Sequence, residues 1–81
     1  MNVDTLKLEI EKAAGENVLM LTNVRISPDA VFFISQRKHD KFPFCVRGYD
    51  SKRKELYEEF WACDSMQAAQ GRLNSILSRM A

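Results

Sequence analysis

Apolar residues recur at helical spacing over residues 4–14, where Leu6, Ile10, Ala13 and Ala14 share a face with Val3 while Lys7, Glu9, Glu11 and Lys12 fall largely outside it. This pattern predicts an amphipathic helix of about three turns. Asp4 or Thr5 is placed to accept a hydrogen bond from its open first turn, and Gly15 stands where a left-handed stop is needed. Beyond Glu16 and Asn17 the period changes to two. Residues 18–26 and 30–38 read as strands, separated by the turn chemistry of Ser27, Pro28 and Asp29. The short polar stretch His39, Asp40 and Lys41 leads into residues 42–63, which read as two further strands joined by the polar turn Ser51, Lys52 and Arg53. Parallel neighbours need a crossover of a dozen or more residues, so connections this short imply an antiparallel meander.

The last periodic segment, 65–80, puts Met66, Ala69, Leu73, Ile76, Leu77 and Met80 on one stripe, with Gln67, Gln70, Arg72, Asn74, Ser75 and Ser78 off it. Asp64 followed by Gln67 has the form of a capping box at the start of a helix. Gly71 in the helix interior costs about 1 kcal/mol relative to Ala, and close approach to another element is its expected reason. The order is α-β-β-β-β-α. The expected fold is a single α+β domain over 1–81, a four-stranded antiparallel meander with the N-terminal and C-terminal helices packed on one face.

Facing residues of paired strands share a side of the sheet, so turn lengths assign the faces. With three-residue turns, and five residues in the last hairpin, one face collects Val18, Met20, Thr22, Val24, Ile26, Phe32, Ile34, Phe42, Phe44, Val46, Leu56, Phe60 and Ala62. This is the expected core. The other face collects Leu19, Leu21, Asn23, Arg25, Val31, Phe33, Arg37, Cys45, Arg47, Tyr49, Tyr57, Glu59, Trp61 and Cys63, and is expected to stay at least partly open.

Composition narrows the function classes. With 46% hydrophobic and 28% charged residues the chain has the make-up of a soluble globular domain. At 81 residues it buries only about 60–65% of its unfolded surface, so its stability margin is modest. Twelve Lys and Arg against eleven Asp and Glu leave a net charge of +1, so attraction to nucleic acid or anionic membrane must come from local placement. Cys45 and Cys63 are too few for a disulfide framework or a four-ligand zinc site. The first residues lack the basic-then-apolar run of a signal peptide, and no apolar run approaches the roughly 20 residues of a membrane span. A cytoplasmic location without membrane contact is expected.

Candidate chemistry is sparse. A nucleophile needs a base within about 3 Å, yet the one histidine, His39, lies in a turn six residues before Cys45, and six extended residues span roughly 20 Å. Glu58 and Glu59 are adjacent on a strand and point apart. No HExxH, glycine-rich phosphate loop, GxSxG or CxxC occurs. A non-enzymatic protein with no cofactor, no metal and no small-molecule substrate is expected. The sharper signal is aromatic rings beside arginines on the second face: Tyr49, Tyr57 and Trp61 as anchors, Arg37 and Arg47 as polar contacts, and Lys52 and Arg53 at the rim. Protein interfaces are enriched in these residue types. Readers of single-stranded nucleic acid stack bases on such rings and meet phosphates with Arg. A third alternative buries these rings under the first helix. A protein partner or self-association is the leading reading, with nucleic acid as the alternative.

The helix, strands, helix order resembles a double-stranded-RNA-binding domain in outline. Those domains start their last helix with a lysine-rich cluster, where this chain has Asp64, Ser65, Met66, Gln67, Ala68 and Ala69, and it carries an additional strand. The departures leave no basis for membership. By analogy of size and lack of chemistry, the chain also fits a phage or mobile-element accessory protein that inhibits a host defence complex, as anti-CRISPR proteins do.

Overall fold

The computed structural model describes residues 3–27 and 30–80, with side chains over 4–21 and 30–79. The elements are α1 (Val3–Ala14), β1 (Asn17–Ser27), β2 (Ala30–Gln36), β3 (Phe44–Asp50), β4 (Glu55–Cys63) and α2 (Met66–Met80). All neighbouring strands pair antiparallel in the order β1-β2-β3-β4, so the α+β meander is as expected. Pro28, Asp29 and the side chains of Val3, Thr22, Asn23, Val24, Arg25, Ile26 and Met80 lie outside the described residues.

The expected packing of both helices on one face is overturned by β2. Its residues from Ala30 to Ser35 are all buried. Val31 and Phe33 pack with Leu6 and Ile10 of α1, Val18 of β1 and Tyr49 of β3, joined by Leu21 and Leu56. Phe32 and Ile34 pack with Val46 and with Ala69, Leu73 and Ile76 of α2, joined by Phe44, Trp61, Cys63, Met66 and Leu77. Successive strand side chains point to opposite sides, so each helix covers its own face and the sheet is the middle layer. The physical reason is area. Burying a large apolar side chain stabilises by about 1.5–3 kcal/mol, and α1 withdraws Val31, Phe33 and Tyr49 from water together.

The register between β2 and β3 is the expected one, unbroken from Ala30 opposite Asp50 to Gln36 opposite Phe44. The connecting loop is longer than a three-residue turn. Arg37 N donates to Pro43 O at 2.7 Å, and His39 Nδ1 accepts from Lys41 N and Phe42 N at 3.2 and 3.0 Å, folding the loop tip on itself. In β1, Met20 pairs with Ile34 and Leu21 with Phe33, which is shifted from the register a three-residue turn predicts but keeps each on its expected face, and a bulge at Leu19 carries Val18 across to the α1 side, opposite Ser35.

The last hairpin departs most. Asp50 Oδ1 accepts from Lys52 N and Arg53 N at 3.0 and 3.2 Å, an Asx turn. Lys54 then takes a left-handed conformation with φ 57. The resulting turn spans 51–54. Four is an even number where five was expected, and a one-residue change moves every side chain of the strand to the other face. Val46 therefore faces Trp61, Arg47 faces Phe60 and Tyr49 faces Leu56. Leu56 and Phe60 move to the α1 side, and Tyr57 and Trp61 to the α2 side. Between the last two pairs, residues 57–59 oppose Gly48 alone. The Tyr57 ring fills the space above this glycine, where a Cβ would stand 2.8 Å from Tyr57 Cδ2.

Helix ends follow local chemistry with two differences. α1 ends as expected at Gly15, φ 69, whose N–H donates to Glu11 O at 2.9 Å. Asp4 and Thr5 lie inside its first turn, so Asp4 complements the positive end of the helix dipole instead of capping it. The cap of α2 is Ser65, whose Oγ accepts from Ala68 N at 3.1 Å, one residue beyond the expected Asp64. A Cβ built on Gly71 would meet no atom of another element within 4 Å, so the expected close packing there is absent.

Candidate functional site

The seven residues expected to form one binding surface are distributed over four places. Tyr49 is 1% exposed, and its hydroxyl donates to Glu9 Oε1 of α1 at 2.7 Å. Burial, then this hydrogen bond and the Glu9 charge, push its phenol well above the usual tyrosine range. It is a buried clasp between sheet and helix. Tyr57 and Trp61 are half-buried on the α2 side and line a hollow of about 280 Å³ with Phe32, Ile76, Glu59 and Arg79. The Tyr57 ring meets Phe32 edge-on at 6.5 Å. Lys52 and Arg53 are exposed in the 51–54 turn, at the opposite end of the sheet from the 37–43 loop. β3 has seven residues, which separates the two ends by roughly 23 Å.

Arg37 and Arg47 are brought together, on a residue that sequence reasoning placed in the core. Phe60 is 45% exposed. The Arg37 guanidinium carbon lies 5.6 Å from the centre of its ring and that of Arg47 lies 5.4 Å away. These are cation–π distances. Leu21, Phe33, Arg47 and Phe60 form one cross-strand row over β1 to β4. α1 covers the beginning of that row and leaves its end on β4 in water. The next row holds Val18, Ser35, Cys45 and Ala62, and its small members on β3 and β4 give the Arg37 side chain room to reach Phe60 from the strand end.

Both arginines are tethered. Arg47 Nε donates to Tyr57 O at 2.6 Å, and Arg37 Nε donates to Phe42 O at 3.0 Å. The second tether joins the strip to the His39 loop, where Phe42, another expected core residue, is 42% exposed and its ring lies 5.7 Å from the imidazole. The signal that would have found Phe60 is the Asx turn at Asp50, which makes the last turn even.

Beneath the strip, Ser35 is fully buried and its hydroxyl donates to Glu16 Oε1 at 3.1 Å. Cys45, opposite Ser35, is also buried, and desolvation followed by the Glu16 charge raises its thiol above the ordinary value. Burial likewise raises Cys63. The two face opposite sides, since Cys45 pairs with Ala62 while Cys63 pairs with Phe44. Among the described residues no three His, Cys, Asp or Glu gather as a metal ion would need, and no helix is long and apolar enough to cross a membrane. No protein-family model, curated protein or solved structure matches the chain.

Proposed function

We propose that the chain is a small non-enzymatic protein that acts by docking on a protein partner, through the strip of Phe60, Arg37, Arg47 and Phe42 at the uncovered end of the α1-side face. The observation that carries this reading is Phe60, an exposed ring on rigid sheet with two anchored guanidiniums against it. Aromatic and Arg side chains dominate the energetics of protein interfaces because they bury large areas with little conformational freedom to lose. Raised thiols support the non-catalytic part, since a thiolate is the reactive form. A site-occupying inhibitor of a host complex, of the kind small phage accessory proteins supply, falls within this reading.

The nucleic-acid alternative uses the same ring as a stacking plane and the same arginines for phosphates. β4 weighs against it, since Glu55, Glu58 and Glu59 are its only charged residues. The test is affinity capture from extract of the producing cells, treated with nuclease, with Phe60→Ala alongside the native chain. The expected result is a discrete protein retained by the native chain and lost with Phe60→Ala, which still folds, its melting temperature lowered by no more than about 10 °C because the ring is already 45% exposed. Identical retention by both chains, or a retained species that nuclease removes, would overturn the reading.

A further inference from the structure

The geometry points to an acidic protein segment as the occupant of the Phe60 strip, with an Asp or Glu carboxylate held between Arg37 and Arg47 and a neighbouring apolar side chain laid on the ring; this rests on the protein-docking reading above. Two like charges lie within 5.6 Å of one ring centre. Neither forms an ion pair with a carboxylate among the described residues, and the one bond each makes to the chain is through Nε. Glu16, whose charge reaches the same Cys45 thiol as both arginines, has its Oε1 engaged by the Ser35 hydroxyl. The remaining guanidinium N–H groups are aimed by their tethers and, among the described residues, are held in no ion pair, which is a pre-organised anion site.

The ring sets the second requirement. Phe60 and the nearby Phe42 are exposed apolar area, so an isolated anion would satisfy the arginines and leave both rings in water. A carboxylate next to an aromatic or aliphatic side chain satisfies both. Continuity of charge selects protein over nucleic acid. A polyanion running along β4 from Phe60 would meet Glu58 in the bulge and then the apolar Leu56, with no Lys or Arg on that strand to receive its phosphates. A single carboxylate makes no such demand.

The experiment is a titration followed by NMR at the Arg Nε–Hε signals of the native chain. The probes are a capped peptide carrying Asp-Glu-Phe, its neutral counterpart carrying Asn-Gln-Phe, and a ten-nucleotide oligo-dT. The acidic peptide is expected to shift the Arg37 and Arg47 signals and the Phe60 ring saturably, the neutral peptide to bind at least tenfold more weakly, and Arg37→Gln to weaken the acidic peptide alone. Equal binding of the two peptides, or tighter binding of oligo-dT, would overturn the assignment. A partner captured in a Phe60-dependent way but indifferent to Arg37→Gln would refute the acidic segment and leave protein docking standing. Loss of all Phe60-dependent capture refutes protein docking itself.

Discussion

Tyr49→Phe isolates the contact that ties α1 to the sheet. The substitution keeps the ring, so the 1% exposed site gains no cavity, and what is lost is the hydroxyl donated to Glu9 at 2.7 Å. Hydrogen bonds to charged groups contribute about 1.5–3 kcal/mol net. Glu9 is only half-buried and regains water, which brings the expected loss to about 1–2 kcal/mol. In a domain of this size 1 kcal/mol moves the melting temperature by about 4–8 °C, so the variant should melt roughly 5–10 °C lower with an unchanged urea m-value. A cycle with Glu9→Gln should show coupling of about 1 kcal/mol. The alkaline limb adds a second reading. The phenol is raised in the folded protein by burial and by Glu9, so the unfolded chain deprotonates first. The stabilisation is complete below about pH 10, the ordinary tyrosine value, and is lost as pH rises through the folded value. The gap between native and variant stability should therefore hold constant up to about pH 10 and narrow progressively above it. A Tyr49→Phe protein within about 0.3 kcal/mol of the native one, with an identical alkaline limb, would refute the clasp.

Gly71→Ala should stabilise by about 0.5–1 kcal/mol in chemical denaturation, since α2 regains helix propensity and no atom of another element lies within 4 Å of the new methyl. Lys54→Gly should stabilise by about 1 kcal/mol, because φ 57 is costly for a side-chain-bearing residue. Trp61→Ala should lower stability by about 2–3 kcal/mol through lost packing on the α2 cluster. Its melting curve would stay near the native one if Trp61 were a free binding anchor.

The even turn at 51–54 shows how a local difference redirects function. Alternation along β4 was legible, and so was the presence of aromatics and arginines in the second hairpin. Which aromatics met which arginines depended on whether the turn held four or five residues. Asp50 decided it by accepting two backbone N–H groups, which moved Tyr57 and Trp61 behind the sheet and brought Phe60 to Arg37 and Arg47. Cover over Tyr49 was also signalled in part. The run Ala30, Val31, Phe32, Phe33, Ile34 has no polar alternation, the mark of a strand covered on both faces.

From the sequence alone came the element order, the meander, the β2–β3 register and the stop at Gly15, because periodicity, short connections and left-handed glycine act within a few residues of chain. The division of the helices between the two faces, the burial of Tyr49 against Glu9 and the exposed ring between two arginines were decided only by tertiary structure. They depend on which apolar areas distant segments remove from water together, and on the parity of a turn whose effect is felt six residues further along β4 at Phe60.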